Sequence, residues 1–222
     1  VWAHGYVQWE GTKMSKTAGT AVTLDEAIER HGPDALRYFL LREVGFEADG
    51  NFTWERFDER YTADLADGFG NLASRSLAML MKYREGAVPV TKGQTSLDQA
   101  GQNALREYSR AMDALDLRGG AEAAWTLVSA ANLFVQQSAP WTLAKAGKDA
   151  ELDEVLSALA RALCRLAVMT SAFIPGKAQT LWENLGMAGE VSGSGWAAAE
   201  QPPLAGCRTG TPSILFPKPL KV

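Results

Sequence analysis

Hydrophobic positions along the chain fall into two regimes. Over residues 1 to 9, Val, Tyr and Trp crowd a stretch that ends at Glu10-Gly11, the pattern of a strand and hairpin running into a loop from Lys13 to Gly19. From residue 24 onward the apolar positions recur at helical spacing. Thr23-Leu24-Asp25-Glu26 has the form of a capping box and predicts a helix over 24 to 30 that stops at His31-Gly32. Pro33 suits the first position of a second helix, whose buried face is Ala35, Leu36, Phe39 and Leu40 and whose end is near Glu43. Gly45 to Asn51 is expected to be a loop.

Beyond that loop the pattern predicts an almost wholly helical chain to about residue 186. Leu105, Tyr108, Met112 and Leu115 form one stripe; Leu152, Val155, Leu156, Leu159, Leu163 and Leu166 form another. Breaks are expected at Gly86 to Gly93, Leu117 to Gly120, Ala139-Pro140, Gly147 to Asp149 and Pro175-Gly176. Such helices bury their faces only against one another, so the expected fold is mainly α, an antiparallel helical bundle. After Gly186 the periodicity gives way to Gly, Ser, Pro and Ala, a linker or extended tail. Within it, Ile214-Leu215-Phe216 between Pro212 and Pro217 reads as a strap or edge strand packed on something else. The expected division is residues 1–50, 51–190 and 191–222.

Composition adds exclusions. The chain has 222 residues, 46% hydrophobic and 22% charged, as expected of an ordered globular protein. No uncharged apolar run approaches the roughly 18 residues of a membrane span. A net charge of −4 argues against a protein that coats nucleic acid by charge alone, although local basic patches remain compatible with it. Cys164 and Cys207 have neither CxxC spacing nor a nearby histidine pair, so neither disulfide framework nor metal site is expected, and a reducing cytoplasm is the expected compartment. The chain opens Val1-Trp2-Ala3-His4-Gly5-Tyr6-Val7, without an initiating methionine and as if inside a sheet, which suggests a fragment whose N-terminal partner is absent.

Lys13 and Lys16, in a loop flanked by Gly11 and Gly19, place two mobile point charges where a polyphosphate can be held, with Met14 as an apolar anchor. By spacing alone this is a common surface pattern. Lys13-Met14-Ser15-Lys16-Thr17, however, resembles the KMSKS signature loop of class I aminoacyl-tRNA synthetases, with Thr17 keeping the hydroxyl of the usual serine. Asp34-Ala35-Leu36-Arg37-Tyr38-Phe39-Leu40-Leu41-Arg42-Glu43 and Asp49-Gly50-Asn51-Phe52 resemble the methionyl-tRNA synthetases in particular. The likeness continues through Gly70-Asn71-Leu72-Ala73-Ser74-Arg75, Ala139-Pro140-Trp141 and Leu181-Trp182-Glu183-Asn184-Leu185-Gly186.

This resemblance implies the end of an α/β Rossmann-like catalytic domain followed by a helical anticodon-binding domain. It implies an ATP site at Lys13, Met14, Ser15 and Lys16, with Lys13 and Lys16 catalytic and Lys16 having the larger effect. ATP enters with Mg²⁺, and the partners are methionine and tRNA(Met), not DNA or a membrane. The HIGH-type half, the methionine pocket and the zinc-bearing insertion would precede residue 1, so the chain alone is expected to be inactive. The alternatives are a non-catalytic tRNA-binding module and the end of a Leu, Val or Ile enzyme. If a partner sheet is absent, the strand at 1 to 9 and the helix at 33 to 43 are expected to be less well packed.

Asn71 and Arg75 are one helical turn apart, on a polar stripe Asp64, Gly68, Asn71, Arg75 beside Leu65, Phe69, Leu72 and Met79. Pro140 places Trp141 at a helix start. Taken alone, these residues fit a solvated helix face and a core tryptophan; the resemblance assigns Asn71, Arg75 and Trp141 jointly to anticodon contact. Asn132 reads as a buried structural amide, His31 as a helix terminus and His4 as a strand residue. Arg37 and Arg42 are expected to pair with local acids, with a contact to a tRNA phosphate conceivable for either.

Overall fold

The computed structural model describes residues 5–14, 22–44, 49–91, 95–210 and 212–218. His4, Ser15, Lys16 and Thr17 therefore lie outside the described residues. β1 (Val7–Trp9) and β2 (Thr12–Lys13) form the expected hairpin, with Gln8 opposite Lys13. Where a loop was expected, Gly50–Phe52 forms β3, parallel to β1 and paired Gln8 to Asn51 and Trp9 to Phe52. Three residues around a glycine carry no readable alternation, but Gly50 and Phe52 point inward and Asn51 outward. This strand straddles the boundary expected at residues 50 and 51.

The helical punctuation follows the sequence closely at first. α1 (Leu24–His31) is closed by the capping box, with the Glu26 N–H donating to Thr23 Oγ1 at 3.2 Å and the Thr23 N–H donating to Glu26 Oε2 at 2.9 Å. Gly32 (φ 86°) turns the chain into α2 (Pro33–Glu43), which starts on its proline. α2 is not loosely packed: Ala35, Tyr38 and Phe39 are buried within this chain, Phe39 edge-on to Phe52 and Phe57. β1 is half-buried along its length, and Tyr6 before it is exposed.

α3 (Trp54–Arg60), capped by Thr53, runs without a break through a π-helical stretch, Tyr61–Gly70, into α4 (Asn71–Arg84). The Asn71 N–H reaches back five residues to Ala66 O, the wider ring that defines this geometry. α5 (Ser96–Asp113), α6 (Leu117–Ser138) and α8 (Asp149–Thr170) complete the bundle; α7 (Pro140–Lys145) and α9 (Pro175–Asn184) are shorter. Leu127, Leu156, Leu159 and Leu163 are buried between them.

The break expected at Leu117 to Gly120 is instead the first turn of α6. Asp116 caps it by accepting from the Gly119 N–H at 2.8 Å, and the turn is displaced to Ala114–Asp116. Leu115 leaves the expected stripe, adopting φ 60° in that turn with half its surface exposed. Gly120 serves close packing: a Cβ there would stand 2.7 Å from Met112 Sδ. The tail is also more ordered than its composition suggested. α10 (Ala197–Glu200) is buried on one side, and the Thr209 N–H donates to Gly86 O at 2.8 Å. The strap packs as expected, with Leu215 and Phe216 buried and Ile214 exposed, but without strand pairing.

A buried ionic cluster ties three of these elements together. Asp98, at the start of α5, accepts from Arg161 Nε at 2.6 Å and Nη2 at 2.9 Å, with Arg165 Nη1 at 3.6 Å. Arg165 Nε donates to Ala199 O at 3.2 Å, fastening α10. Burial alone would raise the Asp98 carboxyl, but bonds from Arg161 and from the Thr95 hydroxyl and N–H outweigh it and hold the group at about 2. Asp98→Asn should therefore cost about 3 kcal/mol of unfolding free energy at neutral pH, because it strands buried guanidinium charge. A carboxyl whose folded value is depressed stabilises above its unfolded value near 3.9 and loses that contribution as pH falls toward 2. The gap between wild type and variant in urea melts should accordingly be constant above about pH 5 and shrink below pH 4.

Candidate functional site

Two separate groups of candidate residues emerge, one on the small sheet and one on the helical bundle. At the first, Lys13 ends β2 with its ammonium exposed and, among the described residues, unpaired. Met14 is partly buried and packs against the core, as an anchor should. Around them, Trp9 stacks on Phe52 at 6.1 Å and meets Trp54 edge-on at 6.3 Å, so the strand leading to Lys13 rests on an aromatic base.

The second group depends on the register between the long helix and α6. Trp125 Nε1 donates to Asp64 O at 3.1 Å, and Asn132 Nδ2 donates to Gly68 O at 3.2 Å. Both helices advance together between these two contacts, so they run parallel. Counting forward, Asn71 and Arg75 fall level with the last turns of α6 and the Ala139-Pro140 break that begins α7. Asn71 is exposed and Arg75 partly exposed, one turn apart on α4, and neither side chain is bonded among the described residues. Trp141, in the first turn of α7, is 47% exposed and takes part in no ring stack among the described residues. Ala139 (φ 41°) makes the bend that turns it outward from the end of α6.

The expected stripe through Asp64 does not survive. The π geometry of Tyr61–Gly70 changes the residues per turn, so α-helical spacing fails across it. Asp64 faces the other way, accepting from the Tyr38 hydroxyl at 2.8 Å and from Arg60 Nη1 at 3.3 Å. Burial, then the neighbouring Asp64 carboxylate, raises the Tyr38 hydroxyl well above its ordinary value, keeping it a donor. Asn132 is the hydrogen-bonded structural amide expected, with a second bond to Val128 O at 3.1 Å, although it is partly buried rather than buried. Gln136 and Gln137, exposed on the last turn of α6, were not singled out from the sequence, since adjacent amides on a helix carry no signal of their own.

The remaining candidates tie neighbouring elements together. Arg42 pairs with Glu122 on α6, as expected of an arginine with an acid, although that acid is remote in sequence. Arg37 does not pair with an acid: its Nε donates to Ala172 O at 3.0 Å, satisfying a carbonyl just beyond the end of α8. His31 does close α1, but it also bonds Asp58 at 2.7 Å and stacks on Tyr61 at 3.9 Å. A cleft of about 570 Å³ between α1, α9 and the strap, lined by His31, Asp34, Lys177 and Phe216, contains neither group. Among the described residues no set of His, Cys, Asp or Glu is placed to hold a metal ion, and no helix is long and apolar enough to cross a membrane.

Residues 1–77 match the family model for class I (M) tRNA synthetases, and residues 85–219 match that for the anticodon-binding domain of methionyl-tRNA ligase. The methionine–tRNA ligase of Caldanaerobacter subterraneus is 37% identical over 224 aligned positions, covering 98% of this chain and 35% of the relative. That of Oceanobacillus iheyensis is 39% identical over 202, covering 88% of this chain and 30% of the relative. The chain thus spans about a third of the length of these curated relatives. Mycobacterium tuberculosis methionyl-tRNA synthetase bound by methionyl-adenylate superposes with a TM-score of 0.86 at 30% identity, over 97% of this chain and 43% of that one.

The structural reading of Asn132 has a direct check. Asn132→Ala should lower stability by about 1 to 3 kcal/mol, because Gly68 O loses its side-chain partner inside the bundle. Thermal unfolding measures it, and an unchanged melting temperature would leave the amide without its structural role.

Proposed function

The chain belongs to the methionyl-tRNA synthetase family, and from that premise we propose that it supplies a methionine–tRNA ligase with its signature-loop lysines and its anticodon-reading face. The observation that carries this reading is the exposure, at one end of the bundle, of an amide, a guanidinium and an indole without intramolecular partners among the described residues: Asn71, Arg75 and Trp141. Single-stranded bases are read by that chemistry. An amide and a guanidinium together offer donors and an acceptor to a splayed base edge, and an exposed indole offers a stacking surface. Stacking of this kind is worth about 1 to 3 kcal/mol per base. The bases so read would be those of the CAU anticodon of tRNA(Met).

In the signature loop, Lys13 and Lys16 would hold the phosphates of ATP, which enters as its Mg²⁺ complex, together with Met14 and Ser15. The carboxylate of methionine attacks the α-phosphorus, the bond to the bridging oxygen breaks, and pyrophosphate departs with the negative charge. Two ammonium groups near the departing phosphates would stabilise that charge as it develops, and would act more strongly in the transition state than on bound ATP. The aminoacyl group then passes to the 3′ end of the tRNA. Catalysis would further require a nucleotide- and methionine-binding half, for which the relatives' greater length leaves room, and the setting would be the cytoplasm.

Two measurements test the two groups separately. The chain should bind an anticodon stem-loop carrying CAU more tightly than one with a single changed base at matched salt, and Trp141→Ala should weaken CAU binding roughly ten- to a hundredfold. Equal, salt-dependent binding to both loops would remove the anticodon reading. In the complete ligase, Lys16→Ala should slow methionine-dependent pyrophosphate exchange by on the order of a hundredfold or more while leaving stem-loop affinity intact. An unchanged exchange rate would strike Lys16 from the catalytic residues.

A further inference from the structure

The turn between β1 and β2 is the last fixed backbone before Lys13, and part of its support comes from outside the hairpin. Glu10 (φ 47°) and Gly11 (φ 75°) both occupy the left-handed region, a conformation a non-glycine residue keeps only when its surroundings impose it. The Thr12 hydroxyl donates to Trp9 O at 2.8 Å within the hairpin. The other two bonds come from β3: the Glu10 N–H donates to Phe52 O at 3.4 Å, and the Gly11 N–H donates to Asn51 Oδ1 at 2.9 Å. Of these two acceptors, Asn51 is the one that a side-chain substitution removes.

Register places this amide in line with the lysine. Gln8 pairs with Lys13 on one side and with Asn51 on the other, so the three form a row across the sheet on one face. Two strand spacings, about 10 Å, separate Asn51 from Lys13. That is too far for direct contact with the same phosphate, and near enough for the turn to transmit position.

We propose that Asn51 is a positioning residue for adenylate formation: by holding the Gly11 amide it fixes the turn, and with it the height and direction of Lys13 toward the phosphates. This rests on the ligase reading given above. Asn51 touches no reacting atom and acts through the backbone of residues 10 to 13.

The structural half of the proposal is tested on the chain itself. Asn51→Ala should speed amide hydrogen exchange at Gly11 and through Lys13, with the bundle's protection unchanged, whereas Asn51→Asp, which keeps an acceptor in place, should not. Unaltered exchange at Gly11 in the alanine variant overturns the proposal. In the complete ligase, Asn51→Ala should lower kcat for methionine-dependent pyrophosphate exchange about two- to tenfold, the range expected for loss of one hydrogen bond. The KM for methionine and the affinity for the CAU stem-loop should not move, and Asn51→Asp should restore kcat to within about twofold. A wild-type kcat in the alanine variant, or an equal loss in the aspartate variant, overturns the positioning role. Absence of exchange in the unmodified ligase sinks the ligase reading instead, and the Gly11 amide still decides whether Asn51 holds the turn.

Discussion

Register between the long helix and α6 is the constraint on which the arrangement depends. Trp125 and Asn132 reach across to the carbonyls of Asp64 and Gly68, in the stretch where the π-helical geometry departs from the ordinary backbone ladder. Tyr38 stacks on Trp125 at 4.2 Å and bonds the Asp64 side chain, so α2 is drawn into the same lock. A hydrogen bond from an indole or an amide is directional, and a slip of one residue would break both bonds between the helices. Hydrophobic packing alone tolerates such slips, since one leucine serves nearly as well as the next. The polar contacts therefore specify which turn of α4 stands beside the end of α6, and with it which side chains share a surface.

Elements governed by local chemistry were legible in the sequence. The Thr23 box, the prolines at 33, 140 and 175 and the glycines at 32 and 147 act within a few residues of themselves, and the helices begin and end where they dictate. What escaped is set by distant partners. β3 exists because β1 offers it an edge; its own three residues do not specify a strand. The paired glycines at 119 and 120 read as a turn, but Asp116 caps the helix ahead of them and Met112 requires the absence of a side chain. The burial of α2 came from Phe52 and Phe57, which lie beyond a segment expected to be loop.

The candidate sites divide along the same line. Lys13, Asn71, Arg75 and Trp141 were located by a resemblance spread over the chain, and none of them stands out by composition. The structure contributes their surroundings: an exposed amide, guanidinium and indole on one level of the bundle, and a lysine at the end of a braced strand. Asp64 shows the limit of periodic reasoning, because one π-helical interval turned a residue assigned to the polar stripe back toward α2. Arg37 shows another limit, since a carbonyl past a helix end takes the guanidinium in place of a local acid, and sequence does not reveal where that carbonyl lies.

The strap gives the fold a temporal order. Phe216 meets the rings of Tyr61 and Phe69, and the Tyr61 hydroxyl donates to Pro217 O at 2.7 Å, a contact between residues 156 positions apart. During synthesis the first of these partners leaves the ribosome long before the last has been joined to the chain. Helices α3 to α9 are made ahead of the strap, and the apolar seam along the π stretch stays open until the strap has emerged. Closing so large a loop is slow relative to helix formation, so the nascent chain carries this exposed strip until the strap arrives.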